Sequence, residues 1–263
     1  MHRIGINVDP NVLYGSETFL RGIAAFGFDA VFTDGDDPAY VKWLCGRCEA
    51  LGLRVETLHA PFSHINDLWT TGADAEALIG RQKACIDLAA SNSIPVVVMH
   101  LSSGENAPHV NDAGLANFDR IVSHAALRGV TVAVENQRKL GNISVILELY
   151  GKDSPVGFCW DVGHEACFAH GREYMPLFGD RCVTTHIHDN GCVYNADEHI
   201  IPYDGKIDFR RTADLIHRSG YQGTLMLELD LPREGSDKYR RLSANQFIGR
   251  AYAGINRLRI LSQ

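Results

Sequence analysis

The sequence predicts a single-domain (β/α)8 barrel spanning 1–263, on three observations. Eight short runs rich in β-branched residues alternate with segments of helical spacing along the whole chain. The length of 263 residues is close to the ~250 typical of such barrels. Six of the runs end in a residue that can bind a metal or move a proton, and in this architecture successive strand ends converge on one mouth.

The elements follow in order. A strand over 4–8 (IGINV) opens the chain, and apolar spacing over 16–26 predicts a helix. The run 30–33 (AVFT) is the second strand; the helix after it covers 38–51, with Pro38 at its start and Gly52 as its C-terminal cap. VETLH (55–59) forms the third strand. Helical spacing over 74–90 places Ala77, Leu78, Cys85, Leu88 and Ala89 on one face. PVVVMHL (95–101), a helix over 111–127 closed by Gly129, and TVAVE (131–135) follow. VGFCWD (156–161) and VTTHIH (183–188) are the sixth and seventh strands. Residues 190–206 carry no element signal and read as a long polar loop at the mouth. A helix over 208–219, with Asp208 at its start and Gly220 after it, leads to the last strand, TLMLEL (224–229). The final helix is expected over 237–261, with Tyr239, Leu242, Phe247, Ala251, Ile255 and Leu258 at helix-face spacing. Strict β–α alternation requires one parallel sheet, and eight repeats favour closure. An open doubly wound sheet is the alternative, but no Gly-rich fingerprint follows the first strand.

Composition narrows the function classes. A hydrophobic share of 45% and a charged share of 22% are those of an ordinary soluble globule. The apolar runs are a few residues long, against the ~20 of a membrane span. MHRIGINVDP enters a strand at once, so no signal peptide and a cytoplasmic location are expected. The net charge of −7 argues against a dedicated nucleic-acid binder; Lys206, Arg210 and Arg211 read as a solvated helix start. The seven cysteines are scattered. Cys45 and Cys48 form a CxxC within a helix and read as free thiols. Cys159, Cys182 and Cys192, expected near the mouth, read as packing residues.

The candidate chemistry sits at the strand ends. Glu135, Asp161 and Glu228 each end an apolar run, and buried carboxylates this close repel unless a cation neutralises them. With His186 or His188 they form a set of three carboxylates and one imidazole. That set suits Mn2+ or Mg2+ and admits Co2+ or Zn2+. WDVGH puts Asp161 and His164 on one turn, and the DEH triplet places Asp197 and His199 in the loop at the same mouth. His59 and His100 end the third and fourth strands, as further ligands or as donors to a substrate. Phe62, Trp69 and Trp160 are candidates for stacking on a sugar, with packing as the ordinary alternative.

HAPF, the strand-end His100, AVEN, WDVGH, HIHDN, DEH followed by GKIDF, and LELD occur in order over almost the whole chain. In these the sequence resembles the xylose isomerase-like barrel superfamily, and particularly its sugar phosphate isomerase/epimerase group. Ketose 3-epimerases, hydroxypyruvate isomerase, inosose dehydratase and endonuclease IV belong to the same superfamily. The resemblance implies that Glu135, Asp161, His186 and Glu228 hold one divalent metal. It further implies that Glu135 and Glu228 serve as the acid/base pair and that His164 contacts substrate. His59, His100, His188 and Trp160 complete the expected substrate contacts. The endonuclease holds a zinc cluster, and its ligand positions match His59, His100, Glu135, Asp161, His164, His186, Asp197, His199 and Glu228, so more than one ion is an option.

The expected activity is a metal-dependent isomerase or epimerase of a small sugar, polyol or keto-sugar, working through an enediolate. The alternatives are a related dehydratase, a zinc-dependent phosphodiesterase on abasic DNA, and a sugar-binding barrel without activity. An unphosphorylated substrate is expected, because LDLPREGS after Glu228 offers Arg233 and Gly235 but no clear phosphate cradle. Oligomeric state is left open, a homo-oligomer included.

Overall fold

The computed structural model describes residues 1–234 and 238–263. Its elements run β1 (Ile4–Asn7), α1 (Ser16–Phe26), β2 (Ala30–Asp34), α2 (Pro38–Leu51), β3 (Arg54–His59), α3 (Ala73–Ser91), β4 (Val96–His100), α4 (Asp112–Arg128), β5 (Thr131–Glu135), α5 (Leu140–Leu149), β6 (Val156–Asp161), α6 (Val162–Phe168), α7 (Met175–Phe178), β7 (Cys182–His186), α8 (Phe209–Ser219), β8 (Leu225–Leu227) and α9 (Ala244–Leu261). The strands pair in parallel in the order β7-β6-β5-β4-β3-β2-β1-β8. The ring closes where Ile187, just past β7, bridges Leu227. Ile187 N donates to Met226 O at 2.7 Å and Glu228 N to Ile187 O at 3.1 Å. The fold is the (β/α)8 barrel that the alternation predicts.

Local chemistry sets the element ends. The Asp37 side chain accepts from the N–H groups of Ala39 and Tyr40, with Pro38 at the first helical position. Gly52, Gly129 and Gly220 are left-handed and terminate α2, α4 and α8. Asp208 caps α8. The last helix starts later than the apolar spacing predicts. Ser243 and Gln246 form a reciprocal capping box at its N-terminus, which fixes the start at Ala244. Asp237 and Gly235 lie outside the described residues. Tyr239 and Leu242 still pack against the core, so their spacing reports burial rather than helix.

The main core lies between strands and helices, with Ile4, Ile6, Phe19, Phe118, Phe158, Trp160 and Phe247 almost wholly buried. Two separate small clusters combine Ala30, Phe32 and Met226, and Val98, Ala133 and Cys159.

Registers decide which side chains meet. Asp34 pairs with His59, His100 with Glu135, and Asp161 with His186. Two of these pairings depend on one-residue register shifts, at Val31/Phe32 and at Phe158/Cys159. At the opposite end a cavity of about 730 Å3 is lined by Arg3, Glu56, Thr57 and Tyr221 and contains no histidine. No helix among the described residues is long and apolar enough to cross a membrane.

Candidate active site

Glu135 stands at the centre of the mouth, 1% exposed. Its Oε2 accepts from His59 Nε2 at 3.2 Å and His100 Nε2 at 2.8 Å, and its Oε1 from His186 Nδ1 at 2.8 Å. His186 Nδ1 also lies 3.2 Å from Glu228 Oε2. Asn136 clamps the backbone of the next strand from both sides. Its Nδ2 donates to Asp161 O at 2.8 Å, and its Oδ1 accepts from Asp161 N at 2.7 Å. Asp161 in turn caps α6, with Oδ1 accepting from His164 N at 2.5 Å. The ligand atoms of Glu135, Asp161, His186 and Glu228 all lie within 4.8 Å of one another.

Two further groups adjoin this one. His59 and His100 share Glu135, and His164, His188, Asp197 and His199 form another set within the same 4.8 Å limit. His164 Nε2 and His199 Nε2 each lie 3.1 Å from Asp197 Oδ2. The nine strand-end and loop positions expected from sequence therefore stand at one mouth.

Electrostatics follow from this crowding. Burial alone would raise the Glu135 carboxyl, but the imidazoles of His186 and His100 outweigh it and hold the group well below its ordinary value. Glu228 is lowered in the same way, against burial, by His186 and His199. Burial opposes charge on His164, yet Asp161, Asp197 and Glu135 raise it to about 10. His199 reaches about 9, burial again opposed, by Asp197 and Glu228.

Whether a cation fits can be read from what lacks a partner. Asp161 Oδ2 is buried and accepts no hydrogen bond, while His186 turns Nδ1 to Glu135 and Glu228. Buried polar atoms are rarely left unpaired. Three carboxylates around one imidazole, with the orphaned Asp161 Oδ2 among them, form a donor set that fits a divalent cation.

Loop 190–207 supplies the outer wall. Asp189 is fully buried and accepts from the N–H groups of Asn190, Tyr203, Gly205 and Ile207 at 2.8–3.0 Å. Gly205 approaches so closely that a Cβ there would lie 2.4 Å from Asn190 O. The loop holds Cys192, Asn195, His199 and Tyr203 at positive φ.

The mouth opens into two cavities. One, of about 270 Å3, is lined by His59, Phe62, His100, Arg138, His164 and Glu228, among others. The other, of about 370 Å3, carries Asp9, Asp34, His199, Glu228, Arg233 and Lys238. Phe62 is half-exposed, its ring 4.8 Å from that of His100.

Some expected positions are corrected. Trp160 does not reach the mouth. It alternates with Cys159 and Asp161 along β6, is 1% exposed, and donates from Nε1 to Glu165 Oε2 at 2.8 Å. Trp69 is likewise a packing residue, donating to Leu101 O. His188 is fully buried, lines neither cavity, and stacks on His199 at 3.9 Å. Cys182 begins β7 and so lies at the end away from the mouth. All seven cysteines are free. Arg211 is paired with Glu173 and Asp214, as a helix start would have it.

Sequence reading missed Asp34, Gln137 and Arg138. Asp34 ends VFTD, the same pattern of a β-branched run closing on an acid. Gln137 bridges His100 and His164, its Nε2 at 3.2 and 3.0 Å from their ring nitrogens. No sequence signal marks Gln137 and Arg138 beyond their place just after Glu135.

Comparison with known proteins adds the lineage. A family model described as a xylose isomerase-like TIM barrel matches residues 20–245. An uncharacterized protein, y4fM, of Sinorhizobium fredii is 32% identical over 200 residues, covering 70% of this chain and 60% of that protein. The chain thus spans less than two thirds of that relative's length. Among solved structures, D-psicose 3-epimerase with D-tagatose from Clostridium cellulolyticum H10 superposes with a TM-score of 0.78, at 13% identity over 99% of both chains. The IOLI protein with a bound zinc atom gives 0.76, at 17% identity over 97% of both.

Proposed function

The chain belongs to the xylose isomerase-like TIM barrel family, and on that premise we propose that it is a divalent-metal-dependent isomerase or epimerase of a small sugar or keto-sugar. The observation that carries the reading is the convergence of Glu135, Asp161, His186 and Glu228 at the barrel mouth. These four would hold the ion, with Mn2+, Mg2+, Co2+ and Zn2+ all suited to the donors. A bound ion would supply Lewis-acid polarisation of a substrate carbonyl and its neighbouring hydroxyl. Names of fold neighbours, an epimerase and a zinc-holding protein, support the class. The seven free thiols suit a reducing compartment such as the cytoplasm.

The side chains divide the remaining work. Glu228 is 17% exposed and lines both cavities, so it is placed to take a proton from the carbon beside the carbonyl, leaving an enediolate. Glu135, 1% exposed and behind His59 and His100 rather than lining the cavity, is the group that would return one. His59, His100 and His164 line the same cavity and donate to substrate oxygens. Phe62 covers one side. A dehydratase would begin with the same proton abstraction.

The test is solvent exchange. Protein loaded with Mn2+ is incubated with a panel of ketoses in deuterated water. Deuterium is expected at the carbon next to the carbonyl. Glu135→Gln and Glu228→Gln, with metal content measured, are each expected to lose about 10²–10⁴-fold in turnover. Turnover without exchange, with both metal-replete variants near normal rates, would overturn the two-glutamate scheme.

A second reading rests on the two adjoining groups, His59/His100/Glu135 and His164/His188/Asp197/His199, which suit additional ions and hence zinc-dependent phosphodiester cleavage. Along the second cavity Asp9, Asp34, Asp197, Glu198, Glu228 and Asp230 outnumber Arg233 and Lys238, a balance that opposes a polyanion. Incision of an abasic duplex by the zinc-loaded protein would decide for this reading.

A further inference from the structure

We propose that the substrate turned over at this mouth carries an anionic oxygen group, carboxylate or phosphate, and that Arg138 receives it. The substrate class is then an acidic sugar, either a sugar acid or a sugar phosphate. The inference rests on the isomerase reading above and narrows it.

Arg138 lies in the turn after β5 and is the only Lys or Arg among the described residues that line the 270 Å3 cavity. Its guanidinium is held on two sides. The carbon Cζ sits 3.7 Å from the centroid of the Phe168 ring, and Nε donates to Asn195 Oδ1 at 2.9 Å. Asn195 is itself fixed, at φ 62, with its Nδ2 bonded to Glu105 Oε1. Nη1 and Nη2 have no hydrogen-bond or ion-pair partner among the described residues. Several other arginines are neutralised by carboxylates, as Arg120 is by Glu76, Arg211 by Glu173 and Arg250 by Asp204; Arg257, stacked 4.1 Å over Tyr203, lines neither cavity of the mouth.

An arginine that is stacked, oriented and left with its two terminal nitrogens open is arranged for an external acceptor. Its planar fork matches the paired oxygens of a carboxylate or phosphate. Fixing it in advance reduces the conformational entropy lost on binding. The cavity's size limits the ligand to a small molecule, and Glu228 faces the same space from another wall. A substrate with its reacting carbon at Glu228 and an acidic group at its other end satisfies both walls.

The experiment uses the metal-loaded protein and three probes, D-fructose, D-fructose 6-phosphate and 5-keto-D-gluconate, titrated by calorimetry in low salt. At least one anionic probe is expected to bind about tenfold or more tightly than fructose, and which one does so tells phosphate from carboxylate. Arg138→Gln is expected to erase that preference, and Arg138→Lys to restore part of it. No preference for either anion, a preference that survives Arg138→Gln, or no binding of any probe overturns the proposal. Exchange with deuterated solvent is followed on the same samples. Arg138-dependent anion binding without exchange keeps the anchor and removes the isomerase reading; exchange without anion preference does the reverse.

Discussion

Asp189 stands inside the HIHDN stretch, between a candidate ligand and an asparagine, yet both its oxygens are taken by backbone N–H groups of the loop it anchors. From sequence the whole stretch reads as chemistry. Which acid is free for a cation and which builds the loop depends on where the N–H groups of Tyr203, Gly205 and Ile207 point, and no spacing rule carries that. Glu165 is a second carboxylate with a structural address. It is hydrogen-bonded through Oε2 to Trp160 Nε1 at 2.8 Å and to Tyr174 N at 2.7 Å. Burial pushes it from 4.5 up to about 7, despite those two donors. Its folded value lies above its unfolded one, so the native state holds the proton more tightly. Stability is therefore lost as pH rises from about 4.5 to about 7. Glu165→Gln keeps an acceptor oxygen and removes the ionisation. The variant should melt higher than the parent at pH 8, with the gap closing towards pH 5. Each kcal/mol gained corresponds to roughly 2–4 °C in a domain of this size. A gap that does not change with pH would show that Glu165 stays ionised throughout.

At the scale of the elements, the strands are legible because each is an apolar run closing on a polar residue, and α2, α4 and α8 because their caps are in the sequence. The register is not legible. Val183 is the extra residue that lets Phe158 face Cys182 while Cys159 faces Thr184. Without that shift Asp161 would lie beside Thr185 instead of His186, and a one-residue slip turns every later side chain to the other face. The shift between β2 and β3 brings Asp34 beside His59 in the same way. The close approach of α6 to the chain beyond β7 is equally hidden. A Cβ on Gly163 would lie 1.8 Å from the His188 ring, a contact that neither element can relieve alone. Gly163→Ala is expected to destabilise the fold by about 1–3 kcal/mol and to push His188 off His199. Urea denaturation measures the first and metal stoichiometry the second. An unchanged midpoint would mean that α6 can slide away at little cost.

For the molecule as a whole, the barrel is least tied between β7 and β8. Among the described residues one bridge joins them, from Ile187 just past β7 to Leu227, and the Thr185 hydroxyl fills in by bonding Thr224 O and Met226 N, each at 3.2 Å. The proposed metal ligands come from β5, β6, β7 and the residue after β8, so an ion would span this seam. A ligand that binds only the native state stabilises it by about 3–4 kcal/mol at 100–1,000 times its dissociation constant. Chelation should therefore lower the melting temperature, and it should speed hydrogen exchange at Ile187 and Glu228 more than at β4 or β5. Uniform acceleration across the barrel would place the weak point elsewhere. The order of the chain adds a consequence for biogenesis. His59, His100, Glu135, Asp161 and His186 emerge from the ribosome first, and Glu228 arrives on the last strand. A nascent barrel can gather its imidazoles early, but the full cage forms only when that strand docks. Metal uptake at the proposed site would then follow barrel closure, and an ion held tightly would mark barrels that have finished closing.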